Sequence, residues 1–82
     1  MKKIRDEFKE LGIELENRYI IYKNQEKTTV IPYYHIQILE LKGNRVVIQT
    51  GNVERIAVEL PSEYVAERLF EEILLHIERT YL

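Results

Sequence analysis

Nucleophilic chemistry needs a Ser, Cys or Thr beside a base. The 82-residue chain has no cysteine, so thiolate nucleophiles, thiolate metal sites and disulfides are all excluded. Ser62 is its only serine, and it follows Pro61 where a helix start needs a capping hydroxyl. Thr28, Thr29 and Thr50 fit strand positions, and Thr80 is close to the end of the chain. A metal centre needs converging His and carboxylates. His35 and His76 are the two histidines, neither has a second His at ligand spacing, and both read as surface or turn residues. Glycines 12, 43 and 51 are isolated, so no phosphate-cradling cluster precedes a helix. The glutamates alternate with apolar residues or fall on a polar helix face, which reads as solvated charge rather than a paired acid and base. These residues describe a protein that is not an enzyme and carries no cofactor or metal.

Two groups remain that could bind. Tyr19, Tyr22, Tyr33 and Tyr34 lie near Arg18, Lys23, Lys27 and His35. Strand-borne aromatics flanked by cations are the stacking platform of single-stranded nucleic-acid binders. Glu14, Glu16 and Glu26 are interleaved among them, and the formal charge of the chain is −2. Packing against cross-strand neighbours is the simpler role for such tyrosines. Nucleic-acid binding is therefore the alternative reading, with Tyr19, Tyr22, Lys23, Tyr33, Tyr34 and His35 as its candidate face. The second group is Tyr64, Leu75 and Leu82. On a helix they fall ~160–180° from the centre of the apolar stripe. A second apolar face of this kind suits another subunit or a partner protein.

The elements that must position these groups follow from the periodicity. Ile4, Phe8 and Leu11 lay a narrow apolar stripe along a short helix over 2–11, and Gly12 suits its left-handed cap. From 13 to 60 the pattern is that of strands. Ile13–Glu16 alternates, Asn17 turns, and 18–23 is β-branched and aromatic. Thr28–Ile31 is extended and is expected to end at Pro32. Tyr33–His35 is a bend, and 36–41 resumes a strand whose alternation breaks between Ile38 and Leu39, where a bulge is expected. Gly43-Asn44 and Gly51-Asn52 mark hairpin turns, with Val46–Ile48 between them. In 53–60, Ile56, Val58 and Leu60 share one face. Residues 62–82 form a long helix whose core stripe takes in Ala66, Leu69, Phe70, Ile73, Leu74, Ile77 and Tyr81. On its polar side, Arg68 and Glu72 are spaced to pair. Strand 19–23 would supply a sheet edge.

The expected architecture is an α+β single domain over 1–82. It has a leading helix, five or six antiparallel strands in a bent sheet or partly open barrel, and a closing C-terminal helix. No apolar run reaches the ~20 residues of a membrane span, and the start lacks the apolar region of a signal peptide. Those features imply a soluble, cytoplasmic protein. Thirteen Glu against one Asp, with eleven Ile, is a composition common in thermophiles.

The bend Ile31-Pro32-Tyr33-Tyr34-His35-Ile36, the hairpins and the closing helix after Leu60-Pro61-Ser62-Glu63-Tyr64 resemble a bacterial pleckstrin-homology-like (PH-like) domain over roughly 13–82. The chain departs from that pattern in its leading helix and in lacking an appended membrane span. It also has only Lys23 and Lys27, followed by Thr28 and Thr29, where a phosphoinositide site would carry more cations. The resemblance implies the fold, and it implies protein interaction or oligomer formation rather than lipid-headgroup binding or chemistry. The expected function is a non-catalytic interaction or self-assembly module, most simply a homodimer.

Overall fold

The computed structural model describes residues 3–51 and 54–81. Helix α1 (Ile4–Glu10) is followed by β1 (Ile13–Leu15), β2 (Tyr19–Lys23) and β3 (Thr28–Pro32). A 3₁₀ turn, Tyr33–His35, leads into β4 (Ile36–Lys42), β5 (Arg45–Thr50), β6 (Arg55–Glu59) and helix α2 (Glu63–Thr80). The strands form two antiparallel sheets, ordered β1-β2-β3 and β4-β5-β6. The fold is α+β, as the periodicity implied.

Local chemistry sets the boundaries. Gly12 adopts φ +84°, and a Cβ there would stand 2.3 Å from the Lys23 carbonyl oxygen. That close approach lets Lys23 N–H donate to the Gly12 carbonyl at 2.8 Å, which ties the end of α1 to β2. Gly43, at φ +59°, turns the tight hairpin that pairs Lys42 with Arg45. The Ser62 hydroxyl accepts from Val65 N–H at 3.2 Å and starts α2.

Both sheets and both helices share one core. Phe8 comes from α1, Ile13, Leu15, Ile20 and Ile31 from the first sheet, and Val46, Ile48 and Val58 from the second. Leu60 and the α2 residues Ala66, Leu69 and Ile73 close it. Helix α2 packs on β4, β5 and the 3₁₀ turn.

Five expectations are corrected. The register shift in β4 lies between Ile36 and Ile38, not between Ile38 and Leu39. Pro32 ends β3 from inside the strand. Strand Tyr19–Lys23 is the central strand of its sheet and not an edge, because β1 and β3 pair on either side of it. The buried arc of α2 is rotated from the expected stripe. It takes in His76, which at 4% exposure is a buried helix residue and not the surface or turn histidine expected, and leaves Leu74 (41%) and Tyr81 (69%) outside. Leu74 follows Ile73 by ~100° around the axis, while His76 stacks on the 3₁₀ turn at Tyr33. Finally, Arg68 pairs with Glu71 at 3.6 Å, one residue short of Glu72.

Candidate functional site

The tyrosine group is divided by the fold. Tyr33 is fully buried. Its hydroxyl donates to the Glu16 carbonyl at 2.8 Å, and its ring stacks on His76 with centroids 5.0 Å apart. His76 Nδ1 lies 2.8 Å from the Glu72 carbonyl oxygen, so that nitrogen carries the proton. Burial pushes the Tyr33 phenol well above its ordinary range. The negative charge of Glu16 adds to that rise, Arg5 opposes it, and Glu72 adds a smaller part. Tyr33 is a structural donor and cannot stack a base. Tyr22 is half-buried against the core, opposite Ile13 on the inner face. It too leaves the candidate face.

Four residues of that face are exposed, in two places. Tyr34, at 58% exposure, meets His35 edge-on with centroids 4.4 Å apart in the bend. Tyr19 lies on the outer side of the first sheet, 39% exposed. Lys23 is in the same strand and pairs with Glu14 at 3.8 Å, so its charge is already partnered.

The outer side of the first sheet is the more continuous feature. Leu15, Ile20 and Ile31 stand in one register row and point into the core. Side chains alternate along a strand, so the next row, Glu14–Ile21–Val30, points outward, as does the pair Tyr19–Pro32. Ile21 faces Val30 and Tyr19 faces Pro32 directly across the ladder. Val30 is 54% exposed. These four apolar side chains form a block on that side, with Tyr19 and Val30 exposed and Ile21 and Pro32 half-buried.

Helix α2 presents a second apolar surface. Tyr64 is 67% and Leu75 43% exposed, as expected of side chains ~160–180° from the core stripe. Leu82, the third residue expected there, lies outside the described residues. Leu74 is exposed too, but it lies ~80–100° round the axis from Tyr64 and Leu75 with Glu67, Glu71 and Glu78 between, and Tyr81 is exposed just beyond the helix.

Two clefts adjoin these faces. One, of about 320 Å³, runs along β3 from Thr29 to Pro32 and is closed on its far side by Gln37, Thr50, Gly51, Glu54 and Ile56. The other, of about 380 Å³, is lined by Asn17, Arg18, Tyr34, Arg79 and Thr80. His35 and His76 do not share a metal-binding cluster. Among the described residues no three His, Asp or Glu side chains stand together in that way. None of the described helices is long and apolar enough to cross a membrane.

No family model, curated protein or solved structure matches this chain.

Proposed function

We infer that the chain is a non-catalytic module that assembles with a second copy of itself. The observation that carries this is the apolar block of Tyr19, Ile21, Val30 and Pro32 on the outer side of the first sheet, with Tyr19 and Val30 exposed and Ile21 and Pro32 half-buried. In a chain whose composition is 32% charged, that face has its charges, Glu14 and Lys23, paired with each other. A monomer leaves the block in water, whereas association removes it at ~25 cal/mol per Å². A domain this small buries only ~60% of its unfolded surface and has no disulfide to compensate. The PH-like resemblance of the Ile31–Ile36 bend supports the same reading, since it implies interaction rather than chemistry.

The α2 surface with Tyr64 and Leu75 is the second face on offer. Light scattering on the pure protein across a concentration series tests the reading. Twice the 9.9 kDa chain mass is expected. A monomer mass at the highest concentration sinks it, and Leu75→Glu reads whether the helix face takes part.

A further inference from the structure

The four edge strands of the two sheets are not equivalent. β1 carries Glu14 and is packed by α1. β4 carries Glu40 and Lys42, and β6 carries Arg55 and Glu59. β3, Thr28-Thr29-Val30-Ile31-Pro32, carries no charge. Charged side chains on edge strands are the usual protection against pairing with another chain. β3 alone lacks them.

The register fixes which backbone groups β3 turns outward. Tyr33 N–H donates to the Arg18 carbonyl at 3.1 Å, and Ile31 lies opposite Ile20. In an antiparallel ladder alternate residues point their N–H and C=O to the same side. Residues 33, 31 and 29 therefore bond to β2, and residues 28, 30 and 32 face the free edge. Thr28 and Val30 offer an N–H and a carbonyl each, and Pro32 offers a carbonyl only. None of these has a backbone partner among the described residues. The proline sits where its missing donor costs the sheet nothing.

We propose that β3 pairs antiparallel with β3 of a second copy, with the two-fold axis at Val30. This rests on the self-assembly reading and names its site. In that register Val30 N–H donates to the partner's Val30 carbonyl and receives the reciprocal bond. Thr28 N–H donates to the carbonyl of the partner's Pro32, and the same bond forms on the other side of the axis. Every outward donor of both strands finds an acceptor, and only the Thr28 carbonyls are left to water. The proline removes no bond that the other strand's donors require. On the outer face the row becomes Glu14–Ile21–Val30 followed by the partner's Val30, its Ile21 and its Glu14. Apolar residues then meet at the axis, with the charges at the far ends.

Sedimentation equilibrium on the full chain and four variants decides it, with circular dichroism to confirm folding. Val30→Thr keeps the N–H and the strand shape, and its dimer constant should stay within about threefold of wild type. Val30→Pro keeps an apolar residue and removes two hydrogen bonds per dimer, one from each copy. It touches no bond of the sheet's own ladder and should weaken association by roughly ten- to hundredfold. Val30→Lys opposes two ammonium groups at the axis and should leave a folded monomer; it decides the matter if Val30→Pro does not fold. Leu75→Glu should dimerise as wild type. A wild-type monomer at every concentration overturns both this pairing and the self-assembly reading. A dimer that survives Val30→Lys and is lost in Leu75→Glu overturns the pairing alone. A dimer lost in Val30→Lys but unchanged in Val30→Pro means that the outer faces stack without strand pairing, which also overturns it.

Discussion

Val47 and Val30 hold the same kind of position in the two sheets and meet opposite fates. Each points away from the core, since its strand neighbours Val46 and Ile48, or Ile31, point inward. Val47 is 6% exposed and Val30 54%. Two differences account for this. Val47 is in a central strand, flanked by Glu40 on β4 and Ala57 on β6, whereas Val30 is in an edge strand with a neighbour on one side only. The second sheet also spans its outer face with an ion pair. Arg55 Nη2 of β6 reaches Glu40 Oε1 of β4 at 3.3 Å, across the strand that carries Val47. The stems of such long side chains cover apolar surface while their charges stay wet. The first sheet places its pair, Lys23–Glu14, between β1 and β2, away from Val30. The second sheet covers Val47 at the centre of its outer face and leaves Ile38 exposed on its β4 edge; the first leaves Val30 exposed on β3 with no such pair across it.

The largest effects should be the same in both sheets, because their inner faces serve one core. Ile20→Ala and Ile48→Ala remove side chains that are 2% and 1% exposed. Each should cost ~2–5 kcal/mol in a denaturant titration. A twofold or greater disparity between them would mean that the sheets do not share the core equally. The outer faces should then separate. Val47→Ala should cost about 1–2 kcal/mol from lost buried methyl groups. Val30→Ala, measured under conditions that keep the chain monomeric, should stay within about 0.5 kcal/mol. Equal costs would remove the contrast drawn above.

Tyr33 joins the first sheet to α2 and gives a pH-dependent effect. Its phenol is raised in the folded chain, so between the ordinary tyrosine value and the folded value the folded state holds a proton that the unfolded chain has released. The stability contribution is complete below about pH 10 and falls above it by up to ~1.4 kcal/mol per pH unit. Tyr33→Phe should cost ~1 kcal/mol at neutral pH, through the lost bond to the Glu16 carbonyl, and should flatten the alkaline decline. An unchanged pH profile in that variant would assign the decline to other groups. The smallest effect belongs to the surface ion pair. Arg55→Ala should cost ~0.2–1 kcal/mol and less at high salt, plus whatever Val47 loses in cover.

The elements were legible where a residue type has one physical use. Gly12, Gly43, Pro61 and Ser62 placed a helix end, a hairpin and a helix start, and alternation placed Val58 and Leu60 in the core with Ile56 against it. What the sequence could not carry was tertiary. Periodicity cannot say which strand of a sheet is central, so Tyr19–Lys23 was assigned an edge that belongs to Thr28–Pro32. Helical spacing gives the width of a stripe but not its rotation. The stacking of His76 on Tyr33 draws the buried arc of α2 away from Leu74 and Tyr81. For the same reason the tyrosine group looked continuous in sequence while the fold buries Tyr33, turns Tyr22 inward and leaves Tyr19 and Tyr34 on different elements.

The most direct measurement compares the free edges of the two sheets within one sample. On β6, Leu60 N–H donates to the Asn44 carbonyl at 2.8 Å, which turns the amides of Ala57 and Glu59 outward, as those of Thr28 and Val30 are on β3. Residue-resolved hydrogen exchange at low and high protein concentration reads both edges. The account predicts that the Thr28 and Val30 amides slow at least tenfold as concentration rises, while those of Ala57 and Glu59 keep one rate throughout. Concentration-independent exchange at Thr28 and Val30, or slowing at Ala57 and Glu59 instead, would contradict it.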